Sequence, residues 1–349
     1  MFGTYKTEDV TLLLKNITGL VEPMSTQERE KRIQSGTHYS EMLPIEYAPS
    51  ALYMKTYEDA LGRYAQMTAD AVAEVAEKIW QEKGKDAVLV SLARAGISIG
   101  VLIKRYLRNR YGADVHHYAI SIIRGRGIDH NAMQYILDRH APASVQFVDG
   151  WTGKGAIQRE LDKAMLDYPG VSSGLAVLSD PACLAEKYGT RSDFLIVSSC
   201  LNCTVSGLLS RTFYRTDVIG DDEFHGAVFY EELSDEDRTY EFIETVERCF
   251  ATVKPTSAET ETGMTAAEEV RRICEEFGIR DINLVKPSIG EATRVLLRRL
   301  PWKILVHSMN DEEHLGHIYQ LAKEKNVPLI EYPLKNYRAC GLIQSMADN

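Results

Sequence analysis

The first two-thirds of the chain alternate between short apolar runs and longer helical stretches, and this pattern restricts the fold most. The apolar runs cover residues 87–92, 117–123, 144–148, 174–178 and 194–197. They are nearly continuous rather than alternating, which is typical of parallel strands buried on both faces of a sheet. The helical stretches between them cover residues 97–109, 128–140 and 156–167. The pattern predicts an α/β fold around a parallel sheet, whose ligands bind at the carboxyl ends of the strands.

The remaining segments divide the chain into two units. Residues 1–50 are irregular, and apolar residues near a 3.6-residue period predict a long helix over 56–83 that ends at Gly84. The Pro/Ser/Thr/Glu-rich segment 254–263 reads as a linker between a first domain, 1–253, and a second domain, 264–349. The second domain has helical patterns at 265–277, 289–299 and 311–325 and strand patterns at 282–286, 303–307 and 328–332.

Composition excludes several classes of protein. The 349 residues carry a formal net charge of −10, which argues against a protein that coats DNA. Residues 264–349 are neutral, so the acidity belongs to the first domain. Six scattered cysteines are too few for a disulfide-stapled secreted fold, and no apolar run approaches the roughly 20 residues that span a bilayer. With no secretory signal pattern at the first residues, we expect a cytoplasmic protein with reduced thiols and no membrane partner.

The richest candidate site is the segment VQFVDGWTGKG at 145–155. A strand delivers Asp149, a glycine-rich turn follows, and a helix begins near Ala156. Glycine amides and a helix N-terminus can surround a phosphate, Lys154 can add a positive charge, and Asp149 can accept hydrogen bonds from sugar hydroxyls. A P-loop is excluded because Gly155, rather than Ser or Thr, follows Lys154. An ordinary strand-to-helix turn remains the alternative.

Two further strand ends carry basic loops. Arg94, Ala95 and Gly96 follow the first run and could hold a second phosphate or a pyrophosphate. Arg124 and Arg126 lie beside glycines after the second run, which suits a mobile lid over a charged ligand. Taken singly, each loop is equally consistent with a solvated turn.

In combination these three loops resemble type I phosphoribosyltransferases. The segments YKTEDVTLLLKN (5–16), SGTHYSEMLP (35–44) and CLNCTVSGLLSRT (200–212) are similar to the phosphoribosyltransferase-like proteins of bacterial tellurite-resistance and stress gene clusters. The resemblance implies a phosphoribosyltransferase-type core and a pentosyl transfer from phosphoribosyl pyrophosphate to a nucleobase-like acceptor. It also implies Mg²⁺ bound mainly through the pyrophosphate, with no metal ligands from the protein.

The resemblance also implies roles for individual residues. Asp149 would hold the ribose hydroxyls as a single carboxylate, Thr152, Gly153, Lys154 and Gly155 the 5-phosphate, and Arg94, Ala95 and Gly96 the pyrophosphate. Asp149, Lys154 and Arg94 would form the catalytic set, and Arg124 and Arg126 the lid. Acceptor contacts would come from His38, Tyr39, Glu41, Asp180, Asn202, Ser206 and Arg211.

The second domain resembles a Pelota/L7Ae-type RNA-binding domain, a smaller α/β unit with a final NYRACGLI turn at 336–343. This resemblance implies RNA as a partner of 264–349, although a neutral domain lacks the positive charge that backbone contacts need. The basic cluster of Arg294, Arg298, Arg299 and Lys303 is equally consistent with a solvated helix face. We also expect a homodimer.

Other chemistry receives less support from the sequence. Cys200 and Cys203 form a single CxxC without a second pair, which argues against a zinc ribbon and leaves a dithiol switch as an alternative. A cysteine nucleophile would need a partnered histidine, and no local spacing supplies one. His314 and His317 lie three residues apart, a pair that is usually on a surface. Two alternatives to the transferase stay open: a non-catalytic, nucleotide-sensing RNA-binding regulator, and a nucleoside phosphorylase-like or hydrolytic reaction in the same pocket.

Overall fold

The computed structural model describes residues 2–254 and 264–344. The predicted linker 254–263 therefore lies, apart from Lys254, outside the described residues. The helices are α1 (Thr26–Gln34), α2 (Ala51–Lys83), α3 (Ala95–Tyr111), α4 (His130–Leu137), α5 (Ala156–Ala164), α6 (Thr239–Arg248), α7 (Ala266–Glu276), α8 (Ile289–Arg298) and α9 (Glu312–Glu324). The strands are β1 (Thr11–Leu12), β2 (Lys15–Asn16), β3 (Val88–Leu92), β4 (His116–Ile120), β5 (Ile122–Ile123), β6 (Gly127–Ile128), β7 (Val145–Val148), β8 (Leu175–Ser179), β9 (Lys187–Thr190), β10 (Gly226–Ala227), β11 (Val285–Pro287), β12 (Pro301–Val306), β13 (Leu329–Glu331) and β14 (Ala339–Ile343).

The first unit is built on a six-stranded sheet in the order β1-β4-β3-β7-β8-β9. Every pair in this sheet is parallel, as the continuous apolar runs predicted. All residues of β3, β7 and β8 are buried, because helices and loops cover both faces. The mixed α/β class with a parallel core is therefore confirmed. The loops after β3, β7 and β8 leave the sheet at its carboxyl edge, where ligands bind in such folds.

The long helix α2 packs along this sheet and begins at Ala51, five residues earlier than the period predicted. Ser50 caps its N-terminus by accepting a hydrogen bond from the Tyr53 amide, and Gly84 ends it with a φ of 56°. Its apolar stripe is buried, with Tyr57, Val72 and Ile79 fully covered. Gly189 in β9 lets the two elements approach closely, because a Cβ there would lie 2.6 Å from the Ala71 methyl.

One strand predicted for the first unit is wrong, and one strand was not predicted. Residues 194–197 form no strand; they are a buried apolar segment that leads into a short 3₁₀ turn. The edge position belongs to the more polar β9, whose Lys187 makes ion pairs with Glu82 and Glu186. A short apolar run indicates that a segment is buried. It does not indicate that the backbone of that segment forms hydrogen bonds with a neighbouring strand.

The region predicted to be irregular, 1–50, contains two short strands and helix α1. Ser25 caps α1 by accepting a hydrogen bond from the Glu28 amide. The predicted helix 128–140 begins only at His130, because Gly127–Ile128 pairs with Ile122–Ile123 in an antiparallel hairpin. Residues 124–126 of the Arg-Gly segment form the turn of this hairpin.

The second unit has a four-stranded sheet in the order β11-β14-β12-β13. β14 runs antiparallel to both of its neighbours, while β12 and β13 are parallel. The predicted final turn at 336–343 is wrong over 339–343, since these residues are β14, a fully buried strand inside the sheet. The three predicted helices are present as α7, α8 and α9.

The two units are joined by hydrogen bonds at the carboxyl edge of the first sheet. The buried carboxylate of Asp193 accepts from the Ile289 amide at 3.1 and 3.0 Å and from the Arg338 amide at 2.9 Å. Tyr337 Oη donates to the Gly153 carbonyl at 2.8 Å. Burial raises the pKa of Asp193 to about 7. Over the described ranges, 2–254 and 264–344, the structure contains no helix long and apolar enough to cross a bilayer.

Candidate functional site

A cavity of about 1210 Å³ lies between the two units at the carboxyl edge of the first sheet. The loops after β3 and β7 line one side, and β11, α8 and the segment before β11 line the other. It gathers eleven of the residues that sequence analysis singled out. These are Tyr39, Arg94, Ala95, Arg124, Asp149, Thr152, Gly153, Lys154, Gly155, Asn202 and Arg211.

The other candidate residues lie outside its lining. They are His38, Glu41, Gly96, Arg126, Asp180 and Ser206. Gly96 serves packing in α3, because a Cβ there would lie 2.5 Å from the Val148 carbonyl oxygen. Ser206 lines a small neighbouring pocket with Arg94 and Asn202.

Asp149 follows β7 directly and points into the cavity. Its Oδ1 accepts a hydrogen bond from the Gly150 amide at 2.8 Å. Burial raises the pKa of the carboxyl to about 6, although the Gly150 amide and Arg294 act in the opposite direction. The group therefore titrates near neutral pH, as functional carboxyls in clefts often do.

The rest of this glycine-rich loop is occupied by protein partners. Thr152 is buried, and its hydroxyl donates to Asp180 Oδ1 at 2.5 Å. Gly155, with a φ of 75°, stands at the N-terminus of α5. Lys154 reaches the second unit, where its Nζ donates to the carbonyls of Ile282 and, at 3.0 Å, Val285. Burial and then Lys286 lower the pKa of Lys154 to about 8.

The arginines of the other two loops are also engaged. Arg94 donates to the Leu209 carbonyl at 2.6 Å and lies 3.4 Å from Glu46 Oε1. Arg124 Nη1 donates to Asn283 of the second unit at 3.0 Å, and Arg126 forms an ion pair with Glu41. The loop expected to be a lid is thus bonded to both units in this structure. Its mobility stays a prediction.

The predicted acceptor residues surround that hairpin loop. The Arg124 amide donates to Tyr39 Oη at 2.9 Å, and His38 Nε2 lies 3.0 Å from the Arg124 carbonyl. The Arg211 guanidinium donates to the Tyr39 and Met42 carbonyls, and burial lowers its pKa to about 9, with Arg29 adding to the effect. These contacts hold the segment 38–42 against the rest of the first unit.

The sequence did not predict the cavity side formed by the second unit and α1. Lys286, Glu291, Arg294, Arg299 and Arg29 all line the cavity. Arg294 and Arg299 belong to the noted basic cluster, and they face the cavity rather than open solvent; Arg298 has no described side chain. Their positive or negative charge was the only sign of a role in the sequence. Their position beside the first domain depends on how the two units dock, which the sequence does not reveal.

Three of the six cysteines are too buried for direct chemistry. Cys200 is 2% exposed, and burial raises the pKa of its thiol to about 12. Cys340 lies in β14, where burial likewise raises the pKa of the thiol. Cys203 is fully buried in the cluster of Ile17, Leu43 and other apolar residues. A buried, protonated thiol is a poor nucleophile.

The other three differ in exposure. Cys249 and Cys274 are half-buried, and burial raises the pKa of both thiols. Cys183 is exposed, and its backbone adopts a φ of 55°, which is uncommon for a residue other than glycine. All six cysteines lie in the described part of the chain, and no disulfide joins any of them.

The loop that carries Cys183 is fixed by Asp180 at the end of β8. The carboxylate of Asp180 is fully buried and accepts from the Leu184 amide at 3.1 Å and the Ala185 amide at 2.9 Å. Its backbone carbonyl accepts from the Cys183 amide at 3.1 Å. Ala182, next in the chain, packs into the core of the second unit. A buried acid thus holds an exposed thiol at the junction of the two units.

Comparison with known proteins places the chain in a family. The family model described as tellurite-like stress resistance cysteine protease StiP matches residues 3–247, and the PELOTA RNA binding domain matches residues 264–345. The chain is 38% identical over 365 residues to "Cysteine protease StiP" of Acinetobacter baylyi, covering 99% of this chain and 94% of the relative. The chain therefore belongs to the StiP family of tellurite-like stress resistance proteins and has a Pelota-type domain at its C-terminal end.

Solved structures add little to this. Two structures of a hypoxanthine-guanine phosphoribosyltransferase from Bacillus anthracis match with a TM-score of 0.27 and 16% and 15% identity. Each match covers 36% of this chain and 76% or 77% of the enzyme. A likeness this low carries no argument about the type of sheet or about function.

The prediction of a phosphoribosyltransferase is therefore wrong. The family model and the relative are both named for cysteine proteases, and neither is named for a pentosyl transfer. The link to tellurite-type stress resistance is confirmed. In the described ranges no group of three or more His, Cys, Asp or Glu residues is arranged to hold a metal. A magnesium ion carried by a ligand, a homodimer and a cytoplasmic location stay predictions.

Proposed function

We propose that the chain is a cysteine-dependent peptidase whose nucleophile is the thiol of Cys183. The proposal is supported by membership of a family described as cysteine proteases. The observation that carries the choice of residue is the exposure of Cys183 on a left-handed backbone, against the burial of Cys200, Cys203 and Cys340. Strained, exposed positions at strand ends are where several hydrolases carry their nucleophiles.

The chemistry follows from the thiol. The sulfur of Cys183 attacks the scissile carbonyl carbon, the C–N bond breaks, and the amine leaves with the proton that the thiol gives up. Water then hydrolyses the thioester, which releases the acid and returns a proton to the sulfur. Asp180 acts as a positioning residue. Its buried carboxylate accepts hydrogen bonds from the amides of Leu184 and Ala185, and these bonds fix the loop that carries the Cys183 thiol. The Thr152 hydroxyl also donates to this carboxylate, which ties the loop to the cavity wall.

The test is hydrolysis of fluorescein-labelled unfolded casein by the full chain. We expect Cys183→Ser to lower the rate at least a thousandfold while the melting temperature stays within 2 °C of wild type, figures on the order of those for loss of a nucleophile. Cys249→Ala and Cys274→Ala are matched controls and are expected to keep the rate within about twofold. Full activity of Cys183→Ser, or no hydrolysis by the wild type, would refute the assignment.

A second proposal concerns the domain at 264–345, which we propose binds single-stranded RNA. The match to the PELOTA RNA binding domain favours it. Phe277 and Trp302 pack edge to face with ring centroids 6.2 Å apart, and the Lys303 ammonium lies 4.3 Å from the Trp302 ring. Aromatic rings beside a cation stack nucleic-acid bases without much sequence preference.

Fluorescence polarisation of a labelled RNA oligonucleotide with the full chain tests this second proposal. We expect affinity that falls with rising salt and weakens about tenfold in Trp302→Leu, because stacking contributes roughly 1–3 kcal/mol per base. Tyr319→Phe, a substitution of a half-buried aromatic residue on α9, is the control and should leave affinity unchanged. Equal binding by wild type and Trp302→Leu would refute the assignment of this surface.

A further inference from the structure

The cavity between the two units differs sharply in charge from the chain as a whole. Among the described residues that line it, nine are basic and five are acidic, in a chain with a net charge of −10. The basic residues are Arg29, Arg94, Arg124, Lys154, Arg211, Arg280, Lys286, Arg294 and Arg299. Cations gathered in a cleft with low-dielectric walls focus a positive potential onto whatever enters it.

Several of these cations lack the partners that buried groups usually have. Arg29 is 6% exposed, and its Nε is buried without a hydrogen-bond partner. The Nε atoms of Arg211 and Arg294 are likewise buried without a hydrogen-bond partner. Buried polar groups are nearly always paired, so three unpaired donors on residues that line one cavity leave hydrogen-bonding capacity that the protein itself does not fill.

The basic groups also repel one another. Burial lowers the pKa of Arg29, and Arg299 lowers it further, while Glu46 and Glu30 act in the opposite direction. Burial, then Arg299 and Arg124, lower the pKa of Lys286, while Glu291 acts in the opposite direction. Without a counterion this arrangement costs folding free energy, and a multiply charged anion would offset the cost.

The acids present pair with only part of this charge. Glu30 accepts from Arg299 at 2.8 and 3.0 Å, Glu46 lies 3.4 Å from Arg94, and Glu291 lies 3.2 Å from Arg294. Glu46 Oε2 is itself buried without a hydrogen-bond partner, although the charge of Glu46 acts to raise the pKa of Arg29. Arg29 and Lys286, which both line the cavity, come from different units.

From these observations we infer that the cavity binds a ligand carrying several phosphate groups, held jointly by α1 of the first unit and β11 of the second. Its volume of about 1210 Å³ accommodates a ligand of nucleotide size or larger. The ligand's phosphates would receive charge-assisted hydrogen bonds from Arg29 and Lys286. Binding would also strengthen docking of the two units, because both contribute donors. The inference does not depend on peptidase activity.

The experiment is isothermal titration of the full chain with inorganic tripolyphosphate at constant ionic strength, together with the melting temperature of the ligand-free protein. We expect Arg29→Gln and Lys286→Gln each to weaken binding at least about tenfold, as loss of a charge-assisted hydrogen bond does. The matched control is Arg32→Gln, on the same helix as Arg29, where the side chain is 48% exposed and pairs with Glu28. It should bind within about twofold of wild type.

The ligand-free melting temperature separates a binding role from a structural one. We expect Arg29→Gln and Lys286→Gln to melt at or above the wild-type temperature, because each removes a repelled charge. No binding by the wild type at millimolar tripolyphosphate, equal weakening by Arg32→Gln, or lowered melting with unchanged affinity would each overturn the inference.

Competition distinguishes the two sources of such phosphates. A 5′-phosphorylated RNA oligonucleotide and the same RNA with a 5′-hydroxyl are added to the protein with tripolyphosphate. Displacement by the phosphorylated RNA alone identifies an RNA end as the ligand. Displacement by neither supports a free polyphosphorylated small molecule. Equal displacement by both, in Arg29→Gln as in wild type, would overturn the inference, because binding of the anion would then not depend on Arg29.

Discussion

The pKa of Asp193 makes docking of the two units depend on pH. Burial raises it from 3.8 to about 7, so the folded protein disfavours the carboxylate form. The cost is absent below pH 3.8, grows as the pH rises to about 7, and is constant above that. At about 1.4 kcal/mol for each pKa unit, it amounts to roughly 2 kcal/mol at pH 5 and roughly 4 kcal/mol at pH 8.

Asp193→Asn removes this titration and keeps one oxygen to accept from the amides of Ile289 and Arg338. The difference in free energy of unfolding between the variant and wild type should therefore change by about 2–3 kcal/mol between pH 5 and pH 8, in favour of the variant at pH 8. Only this pH-dependent part is predicted, since the amide group changes the hydrogen bonds at all pH values alike.

The assay is urea unfolding of both proteins at several pH values, followed by tryptophan fluorescence. Trp151 and Trp302 both line the cavity beside the junction and report on its opening. The unfolding curves should be fitted for each unit, because two-domain chains often unfold in steps. Parallel stability curves for wild type and Asp193→Asn between pH 5 and 8 would refute the argument that burial sets the pKa of Asp193.

Three further substitutions test other parts of the structure. Tyr337→Phe removes the hydrogen bond to the Gly153 carbonyl and should cost about 1 kcal/mol in chemical denaturation of the junction, and an unchanged curve would contradict this. Gly100→Ala places a Cβ 2.2 Å from Ser91 Oγ and 2.3 Å from His117 Nε2, so we expect at least about 2 kcal/mol of destabilisation by calorimetry, whereas wild-type melting would show that the site can relax. Glu269→Ala leaves the amides of Lys335 and Asn336 without their acceptor and should destabilise the second unit by about 2–5 kcal/mol, seen as earlier proteolysis of that unit.

The sheet of the first unit could be predicted because strands that are buried on both faces have apolar residues at nearly every position. Runs such as 87–92 and 144–148 are apolar at nearly every position, and they became β3 and β7. The same signal misled at 194–197, which is buried without joining the sheet, while the polar β9 was missed. Strand β14 was missed because its partners, β11 and β12, lie more than 30 residues earlier in the chain.

The site was predictable only in part. Loops at the carboxyl ends of parallel strands converge by geometry, so Arg94, Arg124 and Asp149 were expected to share one cavity, and they do. Lys286 and Arg294 line the cavity only because the second unit docks against the first. No local sequence pattern predicts how two units dock. The cysteine chemistry was dismissed for lack of a local Cys–His spacing, but catalytic partners meet in space and need no sequence spacing.

The most direct test of the central claim, a peptidase with Cys183 as nucleophile, is labelling of the full chain with limiting iodoacetamide. Peptide mapping by mass spectrometry then locates the modified thiol, while casein hydrolysis is measured on the same samples. We expect modification at Cys183 first, with hydrolysis lost in proportion to its occupancy. Full occupancy of Cys183 with hydrolysis intact, or loss of hydrolysis that follows modification of Cys249 or Cys274 instead, would contradict the account.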